Sequence, residues 1–541
     1  MSLKIKYLDV PYGAQESAQA IGNGQSFTDM SLVSVGAPDT CYATLEPFGW
    51  PLDGKRGLIP DSPTAGFWSK KRSDTEGGFA EPPILTLSFQ ENYTATGVTI
   101  TFSPGTDEWC SKIRITWYNG EIQLDQMDAY PDSSHWTLNH AVENFDGLTV
   151  ELIQTNKPGS FAKVQCIEIG QTIWFGPGEI VNPQLTNEID PSLSTLTVDT
   201  MKVNIRDRNN RQLIPQKNQQ MELYQNDKLL AVQYITESSR ESKQYYTFSC
   251  QSAIGLLEDT FLGGVYTAVP VNDVLEEILG EVLFVLNEAF AGETITGYLP
   301  VCTRREALQQ VAFAIGAVVS TQIRQDTQRR RSIQIDPITT EVSTKFENSD
   351  IFQGSKLETA QRIAKIEVVS HSYTPSEEIE TLLNEEDLSG EEVLMTFDQP
   401  HHSYEIAGGE ITGFGSNWIT IKASEKVTLT AKKYTHSTVR HTKHNPVTAA
   451  ERNNTQSVEN VTLVHSGNVS NILERLAEIA QLRQTLTQDV VITGQQAGQK
   501  VVSHSPWGGQ IRGYITSMES TFTNAGHTAS ITILGEEEGL R

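Results

Sequence analysis

The sequence predicts a mainly β, multidomain fold: an N-terminal sandwich, then two small β-barrels separated by an α+β domain. Three observations predict it. Short runs of alternating apolar and polar residues recur along most of the chain, as in half-buried strands. Turn-forming residues separate these runs at short intervals. A helical period replaces the alternation mainly in residues 253–320 and again after residue 470. A chain of 541 residues is long enough for about three or four domains.

Composition and charge exclude several classes of function. Lys and Arg total 41 against 67 Asp and Glu, which gives a net charge of −26. A surface of this sign repels phosphate backbones, so we expect no sequence-specific nucleic acid partner. Residues 1–10 alternate polar and apolar residues instead of forming the apolar run of a signal peptide. No window approaches the roughly 20 apolar residues of a membrane span, so we expect no transmembrane segment.

The cysteines indicate a protein made in a reducing compartment. They are scattered, odd in number and without a CxxC pair: Cys41, Cys110, Cys166, Cys250 and Cys302. We therefore expect free thiols, no zinc and no cofactor.

Residues 1–175 are predicted to form the sandwich. Clean alternations cover Pro82–Phe89, Ala95–Phe102, Lys112–Tyr118, Leu148–Gln154 and Lys163–Ile169. The loops carry aromatic residues: Phe48, Trp50, Phe67, Trp68, Trp109 and Trp136. The runs GFWSKKRSDTEGGFAEPPILTLSF, GVTITFSPGTDEWCSKIRITWYNG and VQCIEIGQTIWF resemble the discoidin-like (galactose-binding-like) jelly-roll sandwich, in the version fused to phage tail proteins.

Two interpretations of the loop tryptophans stay open. The resemblance implies a sandwich that binds sugars through loops at one end, and an aromatic ring suits the C–H face of a sugar. Trp68, Trp109 and Trp136 are then the candidate glycan-binding residues. Alternatively, Trp68, Trp109, Trp117 and Trp136 close the sandwich core or an interface between subunits, because aromatic residues bury more often than they bind.

A second β region follows an acidic linker. The linker covers residues 176–192 and contains three prolines. Residues 193–252 then alternate in Leu193–Arg206, Gln220–Tyr224, Lys228–Thr236 and Tyr245–Ser252, with a hairpin turn at Asn226–Asp227. Antiparallel strands of this length predict the first small barrel, which later strands can complete.

Residues 253–352 are predicted to form the α+β domain. Ile254–Leu262 reads as a short helix, and Val271–Leu286 as a longer helix capped by Asn272. The segment Tyr298–Pro337 is predicted to be a rigid helix and hairpin. Its features are a Thr303–Glu306 capping box, an apolar stripe (Leu308, Val311, Ala312, Ile315), a stop at Gly316, strands Ala317–Ile323 and Ser332–Ile335, and a basic tip Gln325–Arg331.

Residues 353–541 are predicted to form the second barrel with one helix. Strand patterns include Arg362–Tyr373, Val393–Phe397, Trp418–Ala423, Lys426–Tyr434, Gln510–Phe522 and Ala529–Leu534. Residues 375–392 contain eight carboxylates and little apolar content, which predicts a solvated acidic flap. Residues 471–487 are predicted to be a helix capped by Asn471, with Ile472, Leu476, Ile479, Leu482 and Leu486 on one face.

The segment order of residues 193–541 resembles the baseplate hub (tail-associated) protein family of phage tails and contractile tail-like particles. The resemblance is carried by strands leading to CQSAIGLLEDTFLGGVY, then the Tyr298–Pro337 unit, then strands and one helix leading to SPWGGQIRGYITSMESTF. In that family, two related small barrels per chain pair inside a homotrimer and form a ring with pseudo-sixfold symmetry.

The resemblance implies a structural function. The ring joins a hexameric tail tube to a trimeric spike or tail tip, and the implied partners are further copies of the chain, the tail tube or a distal tail protein, a tape measure protein and the spike. The implied location is the virion tail or a tail-like particle, after synthesis in the bacterial host cytoplasm. An alternative is an adsorption protein that binds a host cell-wall glycan through residues 1–175.

Catalytic and metal-binding motifs are absent from the sequence, so we expect no enzyme activity. There is no HExxH, GxSxG, P-loop or CxxC. An alternating strand scatters His436, His441 and His444 over both faces, and we interpret them, with His401 and His402, as solvated or interfacial. A fluid flap cannot hold two carboxylates at the separation a glycosidase needs. Arg329–Arg331 carries too few charges to bind nucleic acid.

Overall fold

A computed structural model describes residues 2–11, 13–14, 17–28, 42–43, 46, 57–58, 64–103, 107–209, 211, 213–226, 228–280, 282–323, 333–388, 392–447, 453–505, 508–523 and 526–538. It confirms the mainly β, multidomain class, since strands account for 59% of residues and helices for 9%. Within those ranges, no helix combines the length and apolar character needed to cross a membrane. The predictions for Cys41, Phe48, Trp50, Asp227 and the tip Gln325–Arg331 lie outside the described residues.

The N-terminal third contains the sandwich. The described strands of residues 1–175, in chain order, are β1 (Leu3–Pro11), β2 (Gln19–Gly22), β3 (Gln25–Thr28), β4 (Tyr42–Ala43), β5 (Gly57–Leu58), β6 (Thr64–Trp68), β7 (Ile84–Thr101), β8 (Cys110–Asn119), β9 (Ile122–Ala129), β10 (His135–Thr155), β11 (Lys163–Val164), β12 (Cys166–Ile169) and β13 (Thr172–Phe175). The sheet β12-β7-β10-β8-β9, with β2 beside β7, and the smaller sheet β11-β6-β3 share one core. Phe67 of the small sheet and Trp117 of the large one are both buried in it.

The first strand of the chain pairs outside the sandwich. β1, which the sequence analysis included in the sandwich domain, pairs with β13 on one side and with a later strand on the other, where Tyr7 lies opposite Met221. Asp9 of β1 is buried, and its carboxylate accepts hydrogen bonds from the backbone amides of Thr96 (2.8 Å) and Gln171. The sandwich is therefore inserted between two neighbouring strands, and Asp9 holds it against them.

A second, larger sheet begins with a seven-stranded part that we call the first lobe. Its remaining strands are β14 (Ile180–Glu188), β15 (Thr200–Arg206), β16 (Gln219–Gln225), β17 (Lys228–Arg240) and β18 (Tyr245–Gln251). The strand order is β13-β1-β16-β17-β18-β15-β14. Side chains from all of these strands, including Ile5, Phe175, Val203 and Phe248, form one core. The β16–β17 hairpin is present, and Asn226 at its turn has φ +51°.

The α+β region packs on the first lobe. Its elements are β19 (Thr260–Phe261), β20 (Gly264–Pro270), α1 (Val271–Leu279), β21 (Phe284–Leu286), β22 (Thr294–Leu299), β23 (Cys302–Thr303), α2 (Arg304–Ile315), β24 (Ala317–Ser320) and β25 (Ile333–Pro337). The predicted capping box is confirmed: Thr303 Oγ1 accepts from the Glu306 amide at 3.2 Å, and the Glu306 carboxylate accepts from the Thr303 amide at 2.9 Å. Gly316 ends α2 with φ +79°, and β24 and β25 form the predicted hairpin stem.

Two helices in this region are shorter than predicted. The helix predicted for Val271–Leu286 ends at Leu279, because Gly280 leaves the helical conformation (φ +57°) and Phe284–Leu286 pairs with β25. Its N-cap is Pro270 and not Asn272. The helix predicted for Ile254–Leu262 is a single 3₁₀ turn, Ala253–Leu256, after which β19 pairs with β23.

The predicted acidic flap is wrong for the described residues 375–387, which are the distal half of a long strand. The next strands are β26 (Val342–Lys345), β27 (Lys356–Thr359), β28 (Lys365–Asp387), β29 (Val393–Thr396), β30 (His401–Phe414), β31 (Trp418–His444) and β32 (Thr455–Val458). β28 pairs with β31 from Lys365↔His444 to Asp387↔Lys426. Glu377 and Glu378 form ion pairs with Lys432 and Lys433 on β31, so the partner strand supplies the opposite charges. We call β28, β29, β30 and β31 the β-arm.

The last part of the chain forms the second lobe of the large sheet. Its elements are α3 (Val469–Ile479), β33 (Gln484–Val491), β34 (Lys500–His504), β35 (Gln510–Phe522) and β36 (His527–Glu538). The second lobe comprises β35, β36, β33 and β27, with β34 beside β35 and β26 beside β34, and has its own core. The helix predicted for residues 471–487 begins at Val469 and ends at Ile479, its N-cap is Asn468 and not Asn471, and Leu486 lies in β33 because that segment pairs with β36.

The capping box gives a direct test of this part of the fold. Replacing Thr303 with Ala leaves the Glu306 amide without its side-chain acceptor, so we expect local stability of α2 to fall by about 1 kcal/mol. Hydrogen exchange of the α2 amides measures this loss. Thr303→Ser keeps the acceptor and is the matched control; equal exchange in the Ala variant and the wild type would contradict the assignment.

Candidate functional site

The two lobes are joined edge to edge by one ladder of hydrogen bonds. β14 pairs with β15 of the first lobe on one side and with β35 of the second lobe on the other. The inter-lobe register runs from Gln184↔Thr521 to Glu188↔Ser517. We call this β14–β35 ladder the seam. Because each lobe has a separate core, the seam makes one continuous sheet out of two packing units.

One face of this continuous sheet is rich in hydroxyl and amide side chains. Residues that pair directly in antiparallel strands point to the same face, so the registers identify its members across six strands. We call it the seam face: Thr247, Ser249 and Gln251; Thr200, Lys202 and Asn204; Gln184, Thr186 and Glu188; Ser517, Glu519 and Thr521; Thr528, Ser530 and Thr532; Thr487, Asp489 and the apolar Val491. Glu188, Glu519 and Asp489 outnumber Lys202, which makes the face acidic.

The opposite face of the seam opens into a cavity of about 730 Å³ between the lobes. Its walls are inward side chains of β14, β17 and β35, the β24–β25 stem and the loop of residues 492–499. Two reciprocal hydrogen bonds fasten the stem to that loop: Gln322 Nε2 donates to the Ala497 carbonyl (3.2 Å), and Gln496 Nε2 donates to the Ile323 carbonyl (3.1 Å).

Asp199 is a buried carboxylate in the wall of this cavity. Its Oδ1 accepts from the Glu188 amide at 3.2 Å, and its Oδ2 accepts from Thr321 Oγ1 at 3.0 Å. Burial raises the pKa of Asp199 to about 6, and the hydrogen bonds from Asn187 and Thr321 counteract only part of that rise. No cation contributes to this pKa among the described residues. The carboxylate therefore lacks the positive partner that buried charges usually have.

Two of the three candidate tryptophans lie beside the loop between β9 and β10, residues 130–134. Trp109 donates its indole N–H to the Pro131 carbonyl at 3.0 Å, and Trp136 is the second residue of β10, the strand that follows this loop. Both rings are half-buried against the core. Tyr130, in this loop, is 66% exposed.

Trp68 lies in a different environment. It is only 6% exposed, its ring packs against Phe161, and the Lys163 ammonium lies 4.7 Å from the ring centroid. Lys163 in turn forms ion pairs with Glu46 (2.5 Å) and Glu108 (2.6 Å). This arrangement anchors the small sheet of the sandwich and leaves little of the Trp68 face to solvent.

The histidines are distributed along the β-arm as hydrogen-bonding residues. His371 Nε2 donates to the Glu459 carbonyl (3.1 Å), so its Nδ1 accepts from His436 Nε2 (3.0 Å). Burial lowers the pKa of His371. His441 bonds to Ser370, and His401 to Glu380. Nowhere in the described ranges do three or more His, Cys, Asp or Glu side chains gather in a way that could hold a metal ion.

The described cysteines are free thiols, as predicted. Cys110, Cys166 and Cys250 are buried, and Cys302 is partly buried. Burial raises the pKa of Cys302 to about 11, which keeps the thiol protonated at neutral pH.

The cavity residues were not identified in the sequence, although a signal was present. Asp199 lies at a position that the alternating pattern predicts to be buried, in line with Met201, Val203 and Ile205. A carboxylate at a position where an alternating run otherwise places apolar residues indicates either a structural hydrogen-bond network or a binding site. Ser520 is likewise a polar residue among the buried positions of β35, between Met518 and Phe522.

The raised pKa of Asp199 predicts a specific pH dependence. The folded-state value of about 6 lies above the ordinary 3.8, so the folded protein binds this proton more tightly than the unfolded chain does. The associated stabilisation, about 3 kcal/mol, is full below about pH 4 and lost as the pH rises through 6. We expect Asp199→Asn to remove this component, which thermal unfolding from pH 4 to 7.5 measures. Asp489→Asn, on the seam face, is the control; parallel pH profiles for Asp199→Asn and wild type would contradict the assignment.

Comparison with known proteins gives structural similarities only. No family model and no curated protein sequence matches the chain. The chain is similar to the prophage MuSo2 43 kDa tail protein from Shewanella oneidensis (10% identity, TM-score 0.39, covering 68% of this chain and 96% of that one) and to a tail protein from Neisseria meningitidis MC58 (10%, 0.41, 68% and 94%). It is also similar to the family 32 CBM from C. perfringens NanJ, solved in complex with galactose (12%, 0.20, 31% and 99%). The structural neighbours thus include phage tail proteins and a sugar-binding sandwich.

Proposed function

We propose that this protein is a structural hub protein of a phage tail or tail-like particle. Three copies form a ring that joins the hexameric tail tube to the trimeric spike or tail tip. The observation that carries the proposal is the seam, which fixes two β lobes of one chain side by side in one sheet. Three such chains present six lobes, the number that a hexameric tube requires of the surface below it.

The chemistry of the seam face supports its assignment as the wall of the ring's channel. Thr, Ser, Gln and Asn side chains dominate it, and carboxylates are its main charges. Among the described residues, Phe352 and Val491 are exposed apolar side chains at this face, and no run of cations is present to hold DNA. An anionic cargo therefore slides past it without binding.

The proposed partners follow from this position. They are further copies of the chain, the tail tube or a distal tail protein, a tape measure protein and the spike, and the proposed location is the virion tail or a tail-like particle. The proposed role is assembly and not catalysis. Of the acidic side chains between residues 375 and 387, Glu377 and Glu378 pair with Lys432 and Lys433, and Glu380 is hydrogen-bonded to His401.

The ring is tested by the mass of the purified chain in solution, from light scattering, and by class averages of the particles. We expect three chains around an open centre. Ile189→Pro should weaken or abolish the ring, because the Ile189 amide donates to the Thr516 carbonyl of β35 at 2.9 Å at the end of the seam, and proline cannot make this hydrogen bond. Ile189→Val keeps the amide and is the matched control.

Two results would count against the hub. One is a compact monomer at micromolar concentration that also fails to join tube or spike. The other is an Ile189→Pro variant that forms rings as well as Ile189→Val does, since the seam would then not position the lobes.

A second candidate function rests on the loop end of the sandwich. Trp109 and Trp136 flank one loop, and the exposed ring of Tyr130 lies in it. We propose that this surface binds a host cell-wall glycan, through aromatic rings against the sugar face. The two functions are compatible, because one chain can build the hub and carry a glycan-binding domain.

Pull-down of the full chain on purified cell walls tests this second function. We expect Trp136→Ala and Trp109→Ala each to reduce binding by about tenfold, as the loss of one aromatic contact of 1–1.5 kcal/mol predicts. Trp68→Ala, at a buried ring, should reduce thermal stability more than it reduces binding by the folded fraction. Absence of binding by the wild-type chain, or full binding by both loop variants, would end the proposal.

A further inference from the structure

We propose that the cavity between the two lobes is a binding site for a ligand that carries a guanidinium or primary ammonium group. This inference does not depend on the hub function. It rests on two independent observations made among the described residues: buried polar atoms that have no hydrogen-bond partner, and a buried carboxylate that has no cation beside it.

The unpartnered atoms are side chains of the cavity wall. Gln233 is 2% exposed and Ser520 is 1% exposed, and both line the cavity. Within the described residues, neither Gln233 Oε1 nor Ser520 Oγ has a hydrogen-bond partner. A buried polar atom left in this state costs about 1–3 kcal/mol. Two such atoms on one cavity wall therefore indicate a missing donor, because an amide oxygen can only accept.

The charges of the wall favour a cationic donor. Asp199 and Asp336 line the cavity, whereas Lys228 is an exposed cation at its edge. His527 contributes no positive charge near neutral pH, because burial lowers its pKa to about 4. A guanidinium or ammonium group would give Asp199 the counter-charge it lacks and would donate to the two free acceptors.

The size of the cavity limits the ligand. About 730 Å³ accommodates a small molecule or the end of a side chain with its flanking backbone. A free polyamine and an arginine or lysine side chain of a partner subunit share the required chemistry. The two sources differ in one respect, since a side chain of a partner occupies the cavity only in the assembled particle.

Calorimetric titration of the purified full chain with L-arginine amide and with spermidine tests the proposal. Citrulline amide, which has the same shape as arginine amide without the charge, is the ligand control. We expect saturable binding of at least one cation and none of citrulline amide. Asp199→Asn should weaken the affinity by about tenfold or more, the effect of one charge-assisted hydrogen bond.

A second variant guards against an effect on folding. Ser520→Ala removes a hydroxyl that has no partner in the described chain, so folding should not be weakened while the affinity falls by about fivefold. Asp489→Asn, on the seam face, should bind as the wild type does. Binding by dissociated chains alone would identify a partner side chain as the natural occupant, and binding by dissociated and assembled chains alike would identify a free ligand.

The proposal is overturned by any of three results. They are no binding of either cation, equal binding of citrulline amide, or unchanged affinity in both Asp199→Asn and Ser520→Ala. None of them bears on the ring, whose test is the mass of the assembled chain, so the two proposals fail separately.

Discussion

The register of the seam is the constraint on which the other surfaces depend. Gln184 lies opposite Thr521 and Thr186 opposite Glu519, so hydroxyl and carboxylate side chains share the outer face while Leu185 and Ser520 face inward. A slip of one residue would exchange the two faces, because side chains alternate along a strand. The apolar residues of both cores oppose that slip. The packing of the lobes thereby also determines which side chains reach the cavity and which reach the outer face.

The sequence was sufficient for the features that depend on near neighbours. The Thr303–Glu306 capping box, the stop at Gly316 and the β24–β25 stem were predicted correctly, since each depends on residues within about one hairpin of one another. Predictions failed where a distant strand decided the outcome. Residues 375–387 resemble a solvated loop in composition, but pairing with β31, some fifty residues later, makes them a strand, and Lys432 and Lys433 of β31 supply opposite charges to two of the carboxylates. The segment after Ile479 continues a helical pattern, yet pairing with β36 makes it β33.

The candidate sites show the same division. The sequence located aromatic residues in the sandwich loops, but it could not distinguish Trp68, covered by Phe161 and Lys163, from Trp109 and Trp136. Whether an aromatic ring is buried depends on the side chains of distant residues that pack against it, and the local sequence does not identify those residues. The sequence signal for the cavity was weaker. It consisted of polar residues at positions where the alternation predicts apolar ones, namely Asp199 just before β15 and Ser520 in β35. Its meaning depends on the junction between the lobes, which brings together residues more than three hundred positions apart.

The insertion of the sandwich between β1 and β13 has a consequence for how such chains fold and diversify. During synthesis β1 is made before the sandwich, but its pairing with β16, in which Tyr7 lies opposite Met221, must wait until that later strand has been made. The intervening module can fold meanwhile, and the lobe closes late around a contact of high sequence separation. Neighbouring strands lie about 5 Å apart, so the ends of the inserted module need only match that spacing. Another compact module with adjacent ends would fit the same position, so the inserted domain is exchangeable without a change in the strand order of the lobe.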